Sequence, residues 1–591
     1  MLDPFKKAID LLEPLPLDEG PDKVMTMPAA IKRFVKPGMT LHLVTTHNRP
    51  GCAVVELIRE FKGKKPGFTF SCIGFVSNGV ALVHAGLAKK LIATFCGDSY
   101  PTPGPNPVIT RAWKSGEIEI ENWSILALPM RLLAAAMGLP FLPCKSITGS
   151  TMATDNQRDY FETDDGHGGV IGMVRPLAPD LAFVHAPYAD KSGNVIMTPP
   201  YGEDALGALA AKDGVIVSVE KVVSSEFVRR YSHLCKVPSY KVVAVCEVPF
   251  GAHPGGVSNR GLPEFEAYAD DYDFVQDIRK ASKTRESMDQ WVKDWIDDCP
   301  TWESYLEKLG KDRIWSLKGK ADPDSWKSEL LTLSPDLPTG PEYSPVEMMV
   351  VAAGRVLAER MKEQGLLTIL AGVGASNLAA WLGYYRLKQE GYDVDLMAEI
   401  GLYGYAPRPA DPFIFNYRNM PTAKMLTGIP SIMGVFMGGA DNRCIGSIGA
   451  GQVDQHGNVN STLIPGKAYL TGSGGANDIC SAAREVLVTA LSGRDRFVEK
   501  LPYLTSPGHN VRAVVSDVGV MRKPEGSDEL ILTDYFAEPG ISKEDSLKKI
   551  KAQCGWDLKF APAPIAVEAP SLDELKLLRI FDPRRQFLGK R

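Results

Sequence analysis

The sequence predicts two related open α/β domains, each built on a mainly parallel sheet. Three observations carry that expectation. Short apolar runs followed by helical patterns recur in both halves, as in folds that alternate strands with crossover helices. A break, Ser334-Pro335-Asp336-Leu337-Pro338-Thr339-Gly340-Pro341, cannot continue a helix or a sheet. The two halves also echo each other. A chain of 591 residues exceeds what one hydrophobic core supports. With 44% apolar and 23% charged residues it is neither disordered nor fibrous.

In chain order, the first-half strand candidates are Leu41–Val44, Leu91–Phe95, Leu181–His185, Gly214–Val219 and Lys241–Val248. Residues 271–330 alternate charged with Trp, Ile and Leu positions at helical spacing and read as a helical appendage closing a first domain, 1–333. After a linker at 334–343, Ser344-Pro345-Val346-Glu347 is a capping box with Pro at the first helical position, and opens a second domain, 344–591. Its strand candidates are Leu366–Leu370, Val394–Met397, Ser431–Phe436 and Cys444–Ile448. The longest apolar stretch, Trp123 to Pro143, carries Arg131 and three prolines and reads as buried core, not a membrane span.

The echo has two parts. Leu41-His-Leu-Val…Ala53-Val54 aligns with Leu367-Thr-Ile-Leu…Ala379-Ala380, and His185…Asp190…Gly193-Asn194-Val195 aligns with Gly449…Asp454…Gly457-Asn458-Val459. A diverged duplication explains both. The Asp-x-x-Gly-Asn element also reads as a tight turn.

With 66 basic against 71 acidic residues the net charge is −5, which argues against nucleic acid or an anionic membrane as a partner. Ten scattered cysteines without a Cys-x-x-Cys pair read as free thiols in a reducing compartment. The histidines show no metal-ligand spacing, so no metal is expected, and no secretory leader is legible at the N-terminus. A cytoplasmic location is expected.

Three second-half segments stand where chemistry belongs. Gly372-Val-Gly374-Ala-Ser-Asn377 is a strand-to-helix turn resembling a dinucleotide fingerprint without its third glycine. Glu399-Ile400-Gly401 ends an apolar strand, where α/β folds place ligands. Ile464-Pro-Gly-Lys467…Thr471-Gly472-Ser473-Gly474-Gly475-Ala-Asn-Asp478 is a glycine loop expected to lead into a helix through Ala482–Thr489, with N–H groups suited to an anion or oxyanion.

Together, Glu399-Ile-Gly401 with Pro407, Gly449-Ala-Gly-Gln452-Val-Asp454-Gln-His-Gly457-Asn458, and Lys467…Gly472-Ser-Gly-Gly475 resemble the class I coenzyme A transferases, glutaconate CoA-transferase-like branch. In the first half Arg49-Pro50, Pro140-Phe-Leu-Pro143, and Val248-Pro-Phe-Gly-Ala-His253-Pro254 carry the resemblance. It covers nearly the whole chain, in the order α-subunit then β-subunit, fused.

The resemblance implies the fold of that superfamily and a transferase that moves CoA from an acyl-CoA to a carboxylic acid. Glu399 would be the nucleophile, forming an anhydride and then a glutamyl-CoA thioester. Gly401, Gln452, Gly474 and Gly475 would stabilise oxyanions or bind CoA, and Lys467 would reach a CoA phosphate. Coenzyme A is then a substrate, with no tightly bound cofactor. The partners implied are acyl-CoA and short carboxylic acids, dicarboxylic ones among them. The acceptor carboxylate is expected on His47-Asn48-Arg49, and many transferases carry a glycine-rich turn where this chain has Thr45-Thr46-His47-Asn48. The fusion of two subunits suggests a homodimer or homotetramer. The alternatives are a CoA-thioester hydrolase of the related ring-cleaving branch, its base among Glu117, Glu119 and Glu121, and a non-catalytic ligand-binding sensor. The alternation of those three glutamates also reads as the solvent face of a strand.

Overall fold

The computed structural model describes residues 3–203 and 205–589. Its first sheet is built around β1 (Thr40–Leu43), β2 (Phe68–Phe75), β3 (Ala88–Cys96), β4 (Glu119–Asn122), β5 (Leu181–Asp190), β6 (Gly214–Val223) and β7 (Val242–Glu247). These lie in the order β4-β3-β2-β1-β5-β6-β7, and every pairing along that path is parallel. β5 is buried over nearly its whole length because both faces of the sheet are covered, which is why it reads as a continuous apolar run. The chain leaves β1 to one side for β2 and reaches the other side at β5. The order therefore reverses between β1 and β5, the point at which open α/β sheets form a crevice.

Helices run from α1 (Tyr272–Ala281) to a last helix ending at Leu333. Phe274, Ile278, Met288 and Trp291 of this appendage join the core made by Phe68, Phe70 and Leu91 of the first sheet. α2 (Pro345–Gln364) follows; Ser344 Oγ accepts from Glu347 N–H and the Glu347 carboxylate accepts from Ser344 N–H, the reciprocal box legible in the sequence.

The second sheet contains β8 (Thr368–Ala371), followed by α3 (Ala375–Gln389), then β9 (Asp395–Ala398), β10 (Leu402–Tyr405), β11 (Cys444–Gly449), α4 (Ala476–Ala482), β12 (Glu485–Thr489) and β13 (Val511–Val515). Its order is β10-β9-β8-β11-β12-β13, parallel except for β9 against β10, with further strands beyond β13. Here the reversal falls between β8 and β11. In each sheet the strand at the reversal pairs in parallel on both sides: Leu41 of β1 with Leu181 of β5 and Phe70 of β2, and Ile369 of β8 with Ile445 of β11 and Leu396 of β9.

Two sequence expectations are corrected. Ser431–Phe436 is not a strand but part of a helical segment, Pro430–Met437, that buries Ile432, Met433 and Met437. A short apolar run has no period that separates strand from buried helix. The helix after the glycine loop stops at Ala482, and Glu485–Thr489 is the fully buried strand β12, as suits its β-branched Val486, Val488 and Thr489. The Asp-x-x-Gly-Asn elements are tight turns, with Gly193 and Gly457 at positive φ and Asp190 and Asp454 accepting from the N–H groups of Asn194 and Asn458.

One core spans both halves. Trp123, Ile125 and Leu128 from the first pack with Met397, Met433 and Ile479 from the second. The apolar run from Trp123 forms a helix, Ala127–Ala136, whose buried Arg131 lies over the Trp123 ring and bonds Glu121 at 3.0 Å. Among the described residues no helix is long and apolar enough to cross a membrane.

Candidate active site

Beyond β9 the chain has no crossover helix. It turns at once through Glu399, Ile400 and Gly401 and returns antiparallel as β10. The turn requires glycine at its third position. Gly401 has φ +123°, and a Cβ there would stand 2.1 Å from the Thr427 carbonyl oxygen. The Gly401 N–H donates to Ala398 O at 3.1 Å, and its carbonyl accepts from Thr427 N–H at 2.8 Å. Gly401 thus fixes the turn that presents Glu399; its close backbone neighbour is Thr427.

Glu399 opens into a cavity of about 500 Å3 at the carboxyl ends of β8, β9, β11 and β12. Gly372, Gly374, Gly449, Gly451, Gly474 and Gly475 line it with bare backbone. A Cβ on Gly475 would lie 2.2 Å from Glu399 Oε2, so the glycine loop rests directly on the carboxyl. Among the described residues no donor reaches that carboxyl. Burial pushes its pKa up to about 8, helped by the nearby Asp478 carboxylate.

Asp478 is itself buried, its pKa raised by burial to about 6, and it ties the halves together. Its Oδ1 accepts from Ser124 Oγ at 2.6 Å and its Oδ2 from Leu126 N–H at 3.3 Å.

The glycine loop is sewn to the end of β3. Cys96 N–H donates to Thr471 O (2.6 Å), Gly474 N–H to Thr94 O (2.8 Å) and Ile125 N–H to Gly474 O (3.0 Å). The Gly474 N–H is therefore committed to the fold. Gly475 N–H, with the buried and unpartnered Ser473 Oγ, remains as the loop's donor beside Glu399. Sequence reasoning gives Ser473, Asp478 and Arg496 no role. The signal for Asp478 is its burial-prone place in a small-residue run, whereas Arg496 lies far along the chain with no motif around it.

The remaining site candidates lie elsewhere. Gln452 does not line the cavity; its Nε2 donates to Asp495 O at 2.9 Å and its Oε1 accepts from Asn460 Nδ2 at 2.9 Å. Lys467 is exposed in the hairpin between Leu463–Ile464 and Ala468–Tyr469, outside the lining. His47, Asn48 and Arg49 follow β1 at the first sheet's reversal point. Arg49 lines a separate pocket there, of about 30 Å3. Burial, with the Arg49 cation beside it, pushes the His47 pKa down to about 3, so the imidazole is neutral.

Asn48 takes φ +56° and its carbonyl accepts from His185 N–H. Arg49 Nη1 meets Asp270 Oδ1 at 3.1 Å, and Nε donates to the Thr45 and Thr46 carbonyls. Glu121 is bridged by Lys90 (2.7 Å) and Arg131 (3.0 Å), so it is a charge-paired strand residue rather than a free base. Among the described residues no His, Cys, Asp and Glu are grouped to hold a metal ion, and all ten cysteines are free.

The family model for coenzyme A transferase matches residues 24–245. The A-type chain of glutaconate CoA-transferase from Acidaminococcus fermentans is 30% identical over 318 residues, covering 50% of this chain and 94% of that one. The chain belongs to the coenzyme A transferase family. The B-type chain of 3-oxoadipate CoA-transferase from Pseudomonas knackmussii is 31% identical over 261 residues, 41% of this chain and 94% of that one. This CoA transferase therefore carries counterparts of both types in one chain. The crystal structure of an acyl-CoA transferase apoenzyme from Escherichia coli superposes with a TM-score of 0.62, covering 96% of this chain and 97% of that one. At 17% identity that likeness speaks for the fold alone.

Proposed function

We propose that this enzyme transfers CoA from an acyl-CoA thioester to a carboxylic acid by ping-pong chemistry through Glu399. The observation that carries the reading is a carboxyl without a hydrogen-bond donor, fixed on a tight turn in a cavity walled by glycine backbone. A Glu399 oxygen attacks the thioester carbonyl and the C–S bond breaks, leaving an acyl-glutamyl anhydride and CoA thiolate. The thiolate attacks the glutamyl carbonyl and expels the first acid as its carboxylate, leaving glutamyl-CoA. The acceptor carboxylate then attacks that thioester, and the released thiolate takes the new acyl group, which frees Glu399. A carboxylate suits each step, since every intermediate stays near the energy of a thioester.

Poor solvation favours the nucleophile: an ionised Glu399 has few interactions to lose on attack. Each tetrahedral intermediate carries an oxyanion, and a preorganised N–H such as that of Gly475 contributes about 3–4 kcal/mol. Arg496 follows β12, lines the far end of the cavity and has no ion pair among the described residues, so it suits a CoA phosphate. Arg49 is not assigned the acceptor acid here, because Asp270 already meets its charge.

The test incubates the enzyme with acyl-CoA and no acceptor, then traps with hydroxylamine or borohydride. Mass spectrometry should find the modification on the Glu399 peptide. Release of free acid and CoA without any label would instead indicate a hydrolase. Glu399→Ala should lower exchange by on the order of 10⁴-fold or more while the fold persists.

A further inference from the structure

The turn that carries Glu399 is held from two sides, and one of them belongs to the first half. Within the turn, the Ile400–Gly401 peptide donates its N–H to Ala398 O at 3.1 Å. The carbonyl end of the same peptide, Ile400 O, accepts from Gly202 N–H at 3.0 Å. Gly202 O accepts from Ile429 N–H (2.7 Å), and Tyr201 N–H donates to Thr427 O (2.8 Å). Thr427 is the residue against which Gly401 closes. The first-half segment Tyr201–Glu203 thus forms a parallel rung beside Gly428 and reaches the residue next to the nucleophile.

Glu203 anchors that rung to the end of β1. Its carboxyl is fully buried; Oε1 accepts from Thr45 N–H at 3.2 Å and Oε2 from the Thr46 hydroxyl. Thr45 is pinned in its turn by β2, its Oγ1 accepting from Gly74 N–H at 3.0 Å. Thr46 stands so close to the rung that a Cβ on Gly202, whose φ is +58°, would collide with its Oγ1. Behind the carboxyl, Oε1 lies 4.0 Å from His42 Nε2. Burial pushes the pKa of that ring down to about 4, so it is neutral and adds no ion pair. The two Glu203 oxygens are spent on two consecutive residues of one loop, an arrangement that fixes the backbone on both sides of the contact.

We infer that Glu203 is a positioning residue for the nucleophile: through Thr46 and Gly202 it fixes, from the first half, the turn on which Glu399 stands. The inference rests on the Glu399 chemistry proposed above. If the rung drifts, the buried Ile400 carbonyl loses its donor, and the peptide it belongs to tilts to find another. Gly401 offers no Cβ to stop that tilt, and the Glu399 carboxyl moves with it. A misplacement of about an ångström at an attacking atom costs up to about 100-fold in rate. A seat that never touches substrate therefore governs kcat.

The experiment follows Glu399 labelling without acceptor, using whichever of acetyl-, butyryl- and succinyl-CoA labels the parent fastest. It is run at a temperature where each variant is folded by circular dichroism, and it separates the maximal rate from KM. Glu203→Ala should lower the maximal rate by about tenfold or more, with KM close to the parent's. Thr46→Val, which keeps the shape and the carboxyl but removes the hydroxyl, should lower it in the same sense by a smaller factor. Glu203→Gln should restore most of the rate. Its amide oxygen accepts from Thr45 N–H, and its NH2 donates to a Thr46 hydroxyl turned to receive it.

Parental labelling rates in folded Glu203→Ala and Thr46→Val overturn the seat while leaving Glu399 as nucleophile. So does a loss confined to KM, which would place Glu203 in substrate binding. Glu203→Gln as slow as Glu203→Ala overturns positioning in favour of a role for the charge. Where Glu203→Ala does not fold, Thr46→Val decides on the same criteria. An unlabelled parent overturns the Glu399 chemistry, and this inference with it.

Discussion

The two sheets reverse their strand order at equivalent places, yet only one of those places is open. After β2 the chain continues through Ser77–Gly79 and a short helix, Val80–His84, to the parallel β3. After β9 it turns back within three residues. The first route fills the sheet end with structure and leaves about 30 Å3; the second leaves about 500 Å3 with a glutamate at its edge.

The buried carboxyls tell the same story. Glu203, in the first half, accepts from Thr45 N–H at 3.2 Å and from the Thr46 hydroxyl. Burial raises its pKa to about 7, but its oxygens are occupied. Glu399, part-exposed at the cavity edge where Glu203 is fully buried, lacks the donors. A satisfied buried carboxyl holds a loop in place, and an unsatisfied one in a cavity is available to react. The two places touch, because Gly202 N–H donates to Ile400 O at 3.0 Å, one residue from the nucleophile.

The largest effect expected from disturbing this contrast is at Gly475. Its φ of −85° suits any residue, so Gly475→Ala should fold normally. The new methyl would stand 2.2 Å from Glu399 Oε2 and push the carboxyl aside by about an ångström. Loss of about 100-fold in kcat, with an unchanged melting temperature, is expected from steady-state kinetics and calorimetry. Full activity would show that the loop does not position the nucleophile.

In the first half the same kind of change should act on stability. Arg49→Met leaves the buried Asp270 without its partner and should cost about 1–3 kcal/mol in chemical denaturation. Glu399 labelling, measured below the melting transition, should persist. A loss of labelling without a loss of stability would return Arg49 to the substrate site.

The parts legible in the sequence are those with a period or a punctuating residue. The parallel strands, the Ser344–Glu347 box and the duplication all announce themselves this way. Glu399 stands out because an acid at the end of an apolar strand is unusual and Gly401 marks a sharp turn. Ser431–Phe436 misleads because six apolar residues look alike as a strand or as buried helix. The roles expected of Gln452 and Lys467 come from the family resemblance, and a matching motif does not say which way a side chain points: Gln452 faces Asp495 and Asn460. The Glu203 seat joins residues far apart in the chain, and no local pattern encodes it.

A pH dependence also separates the two carboxyl environments. Glu399 ionises near pH 8 in the folded chain, against an ordinary value of 4.5 in the unfolded one. Below pH 4.5 both states hold the proton and the group costs nothing. As pH rises toward 8 the unfolded chain binds fewer protons, so the folded state loses ground, and above 8 the loss is complete. Glu399→Gln removes this titration. Its melting temperature should match the parent near pH 4, rise progressively above it up to about pH 8, and then keep a constant lead. The parent's kcat/KM for acyl-CoA should climb over the same interval, because only the ionised carboxylate attacks. Asp478→Asn removes the like charge and should move that kinetic limb toward lower pH. A melting-temperature difference independent of pH would mean that Glu399 is solvated like a surface residue, and the contrast with Glu203 would fall.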